Sequence, residues 1–531
     1  MSAMPGPRFS QWQPIELTIS SLRAFDNPVQ EGRLMGAFVS PSGRRLLRAG
    51  FWDGGDRWRV RFAADEAGEW RYALGLTDPQ GVRIQSVPGF FICEPAAGDT
   101  PFLQHGPVRV SAAKTHLEHA DGTPFFWLGD TAWNGPLRAT DGEWQHYLAE
   151  RVRQRFTAVQ WVATQWRTAP DGDRDGQLAF TGHERIAVNP AFFQRLDRFV
   201  RATADAGLLN VPVLLWAITG GENAESNPGY SLPEDQAILL ARYMVARWAA
   251  YPVAWILAGD GKYFDEYAAR WRRLGRAVFE GTLHAPVAMH CGGQQWPAEE
   301  FRGEPWLDLL GYQSGHGDDE ATWRWLVAGP PATEWAKEPR LFQINLEPPY
   351  ENHLAYQSRQ PHTPESVRRA VYWSLLNAPT AGVTYGGHGV WGWDDGSGPP
   401  VAHPNTGLPL PWRQALTMPG AEQMGHVAKL FTSVDWWRLQ PDSSLLAEQP
   451  GKQDVLATVL ASRSAEGDLV VAYAPAGGVL SLDLRGLRPN LSARWFDPRT
   501  GDWLQGPALA DEPVHRLATP DEQDWVLVLS T

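Results

Sequence analysis

Cysteine is nearly absent: 531 residues contain only Cys93 and Cys291, far apart in the chain. Two distant thiols make neither a disulfide framework nor a cysteine zinc motif. Long apolar runs are also missing. No stretch approaches 18 consecutive apolar residues, so no membrane-spanning helix is expected. The opening "MSAMPGPRFSQWQPIELTIS" lacks a basic start followed by an apolar core, so no signal peptide is expected and the simplest location is cytoplasmic. Charge of one sign never gathers in blocks. The 47 basic and 60 acidic residues leave a net charge of −13 spread along the chain, which suits solubility and argues against a nucleic-acid partner.

What the chain has in excess is 27 Trp, 43 Pro and 52 Gly, with 43% hydrophobic residues. The hydrophobic fraction is that of a globular protein with a full core. Proline and glycine fall mostly between apolar runs, as in a loop-rich fold. Tryptophan serves core packing, and it also offers a rigid apolar plate for stacking on a sugar.

The rhythm changes twice. Residues 1–100 alternate on a period of two, with Ile15, Leu17 and Ile19 on one face and Trp58, Val60 and Phe62 on another. Turn signals such as "SPSGRR", "WDGGDR" and "TDPQG" separate the runs, so an N-terminal, Ig-like β-sandwich is expected. Residues 101–435 alternate short apolar runs with longer helical patterns. The runs are "FFWLGD" (125–130), "TAVQWVAT" (157–164), "LNVPVLLWA" (209–217), "VAWILAGD" (253–260), "APVAMHCGG" (285–293), "LDLLGYQSG" (307–315), "LFQINLE" (341–347) and "AGVTYGG" (381–387). Eight strand–helix units predict a (β/α)8 barrel, a TIM barrel, and "GDTAWNG" is not the Gly-rich turn a doubly wound sheet would carry after its first strand. Residues 436–531 return to short strands and predict a C-terminal β-sandwich.

In such a barrel the chemistry sits at the C-terminal ends of the strands. Reading only those ends collects Asp130, Trp161, Asp260, His290, Gln313, His316, Asn345, Glu347, Tyr385, His388 and Trp391, with Trp393 just beyond. Two carboxylates stand out, Asp260 on strand four and Glu347 on strand seven. Glycosidic hydrolysis needs one carboxyl to protonate the leaving oxygen and another to attack or to activate water from the opposite face. The remaining residues are expected to bind substrate hydroxyls, with Asn345 two residues before Glu347 on the same strand face and Pro348 and Pro349 fixing the backbone after it. Simpler readings compete. Glu347 could end a strand and pair with an arginine, Asp260 could cap a helix starting near Phe264, and Asp130 could cap the next helical segment. Glu351 is the local rival to Glu347. No H-x-H pair or H-x-x-E helix is present, so neither a metal nor a cofactor is expected.

"FFWLGDTAW", "WILAGD", "YQSGH", "INLEPPYE" and "TYGGHGVW", in that order, resemble the apiosidase-like barrels of glycoside hydrolase family 140. The flanks resemble the sandwich found ahead of such barrels and the collagen-binding-type domain found after them. The resemblance implies a retaining, exo-acting glycosidase with Asp260 as acid/base and Glu347 as nucleophile. It also implies a carbohydrate or glycoside as the partner. Two alternatives are a non-catalytic carbohydrate-binding barrel and a metal-dependent hydrolase.

Overall fold

The computed structural model of the chain describes residues 6–281, 284–510 and 512–531. At its centre eight parallel strands close into a barrel. They are β1 (Trp127–Thr131), β2 (Ala158–Val162), β3 (Leu209–Ala217), β4 (Trp255–Gly261), β5 (Val287–His290), β6 (Leu309–Gln313), β7 (Phe342–Glu347) and β8 (Gly382–Tyr385). Their mostly apolar character has a direct cause: the barrel interior covers one face and helices cover the other. In β3 all nine positions are buried.

The helices that cover the barrel include α1 (Asp141–Arg153), α2 (Pro190–Asp205), α3 (Glu234–Trp248), α4 (Asp265–Phe279), α5 (Glu320–Ala328), α6 (Pro364–Leu376) and α7 (Pro419–Phe431). Their starts follow local chemistry. Thr140 and Glu143 form a reciprocal capping box on α1, and Asn189 caps α2 ahead of Pro190. The N-cap of α4 is Phe264, so Asp260 caps nothing. Among the described residues no helix is long and apolar enough to cross a membrane.

Ahead of the barrel, a five-stranded and a three-stranded sheet enclose a core that includes Phe38, Trp58, Phe62, Trp70 and Phe91. Arg61 anchors this unit to the barrel helices, 2.5 Å from Asp197 and donating to the Arg247 carbonyl at 2.8 Å. After the barrel, a six-stranded sheet lies with a two-stranded one. One face packs on α6, where the Tyr372 and Tyr473 rings stack at 4.6 Å. Arg368 of α6 grips Asp524 through two bonds of 2.6 Å.

Two irregularities position the mouth. The β3–β4 register slips between Ala258 and Gly261, and the β6–β7 register slips between Asn345 and Glu347. Each slip inserts one extra residue beside a carboxylate. A bulge bends its strand and re-aims the side chains that follow.

Candidate active site

Asp260 and Glu347, re-aimed by these bulges, meet at one imidazole. His290 at the end of β5 places Nδ1 3.1 Å from Asp260 Oδ1 and Nε2 3.3 Å from Glu347 Oε2. Glu347 Oε1 also accepts from His316 Nε2 at 3.0 Å. His290 is fully buried, and the Glu347 side chain nearly so, while the Asp260 side chain is a quarter exposed. Asp260, Glu347, His290 and His316 therefore converge at one mouth.

The prolines act through the residue after them. Neither Pro348 nor Pro349 has an N–H to donate. The next one, on Tyr350, donates to His316 Nδ1 at 3.2 Å. With Nδ1 occupied as an acceptor, His316 carries its proton on Nε2 and points it at Glu347. Tyr350 also accepts from Trp133 Nε1 at 3.2 Å. Gly386 makes room for the phenol, since a Cβ there would lie 2.0 Å from the Tyr350 ring.

The electrostatics separate the two carboxyls. Burial alone would raise Glu347, but the facing His290 imidazole and the hydrogen bond from His316 outweigh it and hold Glu347 well below the usual carboxylate range. Burial raises Asp260, the Glu347 charge adds to this, and His290 only partly offsets it. Burial would lower His290, yet its bond to Asp260 and the facing Glu347 carboxylate push it up to about 9. One proton is thus held along the His290–Asp260 hydrogen bond, opposite an ionised Glu347. Such a set has a proton to give and a carboxylate to attack or to stabilise positive charge.

Around His290 lies an aromatic floor. Trp133 stands edge-on to it at 5.4 Å and to Trp216 at 5.4 Å, and Trp166 packs on Trp216 at 4.5 Å. A Cβ on Gly259 would meet the Trp216 ring at 2.3 Å, which accounts for the glycine before Asp260.

Several expected binders face elsewhere. Asp130 turns out of the barrel, fully buried, and accepts from Tyr147 (2.6 Å) and Arg151 (2.7 Å) of α1. Trp161 also points outward, onto Trp248 of α3 at 5.4 Å. The Tyr385 hydroxyl donates to Glu351 Oε2 at 2.6 Å, and Glu351 Oε1 accepts from the Gly420 N–H at the start of α7. Tyr385 is therefore no donor to Glu347, and Glu351 ties loops together behind the barrel wall. Asn345 departs from the expected shared face because the bulge breaks the alternation. Its amide donates to Ser374 of α6 and Ser314, while Oδ1 accepts from the N–H groups of Ser314 and Glu347. It fixes the Glu347 backbone rather than a sugar. Trp393 stacks on Trp412 at 4.2 Å.

Gln313 lies at the mouth against Gly293. His388 accepts from Trp391 Nε1 at 3.1 Å, and its other nitrogen lies 3.2 Å from the Gly407 carbonyl. Burial pushes His388 down to about 4, so it stays neutral. His353 stacks on His316 at 4.1 Å and lies 5.4 Å from His388, extending the histidine array. Among the described residues no group of three His, Cys, Asp or Glu side chains is arranged to hold a metal ion. A crevice of about 1550 Å3 lies away from this mouth, between the N-terminal sheets and the barrel helices, where Met35, Leu47 and Trp52 face Leu239 and Tyr251.

Comparison with known proteins adds to this geometry. The family model described as "Apiosidase-like, catalytic domain" matches residues 111–438. "Domain of unknown function (DUF5060)" matches residues 8–77, and "Putative collagen-binding domain of a collagenase" matches residues 440–530. No curated protein sequence matches the chain. Among solved structures, a glycoside hydrolase is 23% identical with a TM-score of 0.70, over 82% of this chain and 98% of its own. A glycoside hydrolase family 5 protein from Bacteroides vulgatus is 22% identical with a TM-score of 0.70, over 82% of this chain and 95% of its own. Another Bacteroides vulgatus structure, described as a "putative glycoside hydrolase", is 18% identical with a TM-score of 0.73, over 99% of both chains. At these identities the structural likeness is one of fold. The catalytic-domain model, in contrast, spans all eight barrel strands and more than half of the sequence, and on that match the chain belongs to the apiosidase-like family.

Proposed function

We propose that the chain is a retaining, exo-acting glycoside hydrolase in which Asp260 is the acid/base and Glu347 the nucleophile. The observation that carries the reading is the single imidazole of His290 bonded to one carboxylate from β4 and facing another from β7. Asp260, raised by burial, gives its proton to the leaving oxygen as the glycosidic bond breaks. Glu347, ionised and held by two imidazoles, attacks the anomeric carbon to form a glycosyl ester. Asp260, now a carboxylate, then takes a proton from the water that cleaves this ester. Retention is what the apiosidase-like resemblance of the sequence implies, and the anomer first released tests it. An exo mode fits a floor of buried aromatic rings, which ends the site beneath a terminal sugar.

A panel of pyranosyl and furanosyl dinitrophenyl glycosides identifies the sugar. Glu347→Gln is expected to abolish turnover of every substrate. Asp260→Asn is expected to spare dinitrophenyl leaving groups, which need little protonation, and to gain rate with azide. The anomer first released, followed by proton NMR, reads the stereochemistry, and an inverted product would overturn the nucleophile role of Glu347. An Asp260→Asn variant equally dead on activated and unactivated substrates would overturn the acid assignment.

A further inference from the structure

Each of the two carboxylates stands at a strand irregularity, and each irregularity is gripped by a buried side chain to which the chemistry gives no part. On β7 the extra residue is Leu346. It has no counterpart on β6, where Tyr312 pairs with Asn345 and Gln313 with Glu347. A bulge residue leaves the regular ladder, so its peptide needs a partner elsewhere. The Leu346 carbonyl finds one inside the barrel. Gln160 of β2, three strands round the closed sheet from β7, donates to it through Nε2 at 2.9 Å. The same nitrogen donates to Thr131 Oγ1 of β1 at 2.9 Å. Gln160 is 1% exposed, and its Oε1 is buried without a partner among the described residues. Turned over, the amide would set Oε1 against the Leu346 carbonyl, acceptor against acceptor. The orientation that holds the bulge therefore leaves one acceptor unpaired. The Leu346 side chain lies over Gly311 of β6, where a Cβ would come within 2.3 Å of it.

On β4 the irregularity spans Gly259 and Asp260, because Leu215 pairs with Ala258 and Ala217 with Gly261. Here the Gly259 carbonyl accepts from the Tyr263 hydroxyl, in the loop that leads to α4. Tyr263 is fully buried, and its ring leans on Trp271 of α4 at 5.8 Å. In both strands the gripped carbonyl belongs to the residue immediately before the carboxylate. That peptide unit is planar and includes the carboxylate's own N–H, so holding its oxygen fixes the plane from which the acidic side chain departs.

We propose that Gln160 and Tyr263 are a matched pair of positioning residues, Gln160 aiming Glu347 and Tyr263 aiming Asp260. The inference rests on the glycosidase reading above, because it assigns each side chain to one of the two carboxyl roles. The site tolerates little error, since a misplacement of roughly 1 Å costs about a hundred-fold in rate.

The two roles carry different kinetic signatures, which a general loss of packing would not produce. The experiment measures kcat/KM on two glycosides of the sugar that the panel identifies, one with a poor leaving group and one with dinitrophenol. Tyr263→Phe keeps the ring and removes only the hydroxyl. It is expected to lower kcat/KM about ten-fold on the poor leaving group and to leave the dinitrophenyl glycoside within about two-fold, because only the first needs a proton from Asp260. Gln160→Met keeps the length and removes the donor. It is expected to lower kcat/KM about ten-fold on both glycosides, because both need Glu347. Calorimetric titration of Gln160→Met with the monosaccharide should give the wild-type stoichiometry and Kd, which separates a slowed site from a lost one. Gln160→Glu restores a donor only while its carboxyl is protonated, so its rate relative to wild type should rise as the pH falls, and that of Gln160→Met should not.

Equal losses on the two glycosides in Tyr263→Phe, or a loss in Gln160→Met confined to the poor leaving group, overturn the pairing. Wild-type rates in either variant overturn its assignment, and so does a binding stoichiometry that falls in step with the activity. All of these leave the glycosidase reading intact, whereas a wild-type protein inactive on every glycoside of the panel overturns that reading and the proposal with it.

Discussion

Replacing His290 with Gln tests the proton inventory of the site. In the wild type His290 lies between Asp260 and Glu347 and is pushed up to about 9 by them. In the proposed mechanism the proton that Asp260 delivers is therefore retained by the His290–Asp260 pair up to about pH 9, and the basic limb of kcat/KM belongs to the pair rather than to either residue. The acidic limb lies far lower, where Glu347 takes up its proton, because that carboxyl is held well below its ordinary range. Without the imidazole, the same proton rests on a carboxyl alone. Burial and the Glu347 charge still favour the neutral acid, but a carboxyl binds a proton less tightly than this imidazole does. The basic limb should move to lower pH, and each unit of movement is worth about 1.36 kcal/mol and ten-fold in the protonated fraction above the limb. The expected loss is then small at pH 5 and grows as the pH rises toward 9, about ten-fold for each unit by which the limb has moved. The assay is kcat/KM from pH 4 to 10 on a glycoside with a poor leaving group, repeated on a dinitrophenyl glycoside, where the shift should shrink. A variant whose profile is the wild-type profile scaled by a constant would refute the shared proton.

Three further outcomes follow from the same contacts. His316→Ala removes a donor that holds Glu347 ionised, so the acidic limb should rise and activity should fail first on the acid side, with His316→Gln restoring part of it; equal profiles would show that His290 alone sets Glu347. Asp130→Ala leaves Arg151 charged in a fully buried site, so thermal unfolding should show a loss of about 3–5 kcal/mol with KM unchanged in the folded protein, and a KM effect would return Asp130 to the substrate. Asp524→Ala strands Arg368 at the junction of barrel and C-terminal sheet, with a similar cost, and limited proteolysis should release residues after 438 before the barrel is cut.

Much of this protein is written in local sequence. Eight apolar runs separated by helical patterns specify a barrel because parallel strands buried on both faces have to be apolar throughout. Strand ends specify a mouth, and Asp260, His290, His316 and Glu347 are all found by reading those ends. The same uniform burial hides which way each side chain points. Asp130, Trp161 and Tyr385 occupy strand ends like the others, yet face the helices, and no polar alternation in their strands marks the difference. Bulges add a second uncertainty: one extra residue in β7 turns Asn345 outward and Glu347 into the mouth, an outcome decided by hydrogen-bond register across strands distant in the chain. Tyr350 is set by loops closing on other loops, through backbone bonds such as that to His316. Sequence alone determined the barrel and set two carboxylates at its strand ends, since both follow from local periodicity. Only the tertiary structure decided the side chains that hold those carboxylates, because each of these contacts joins segments that become neighbours only when the barrel closes.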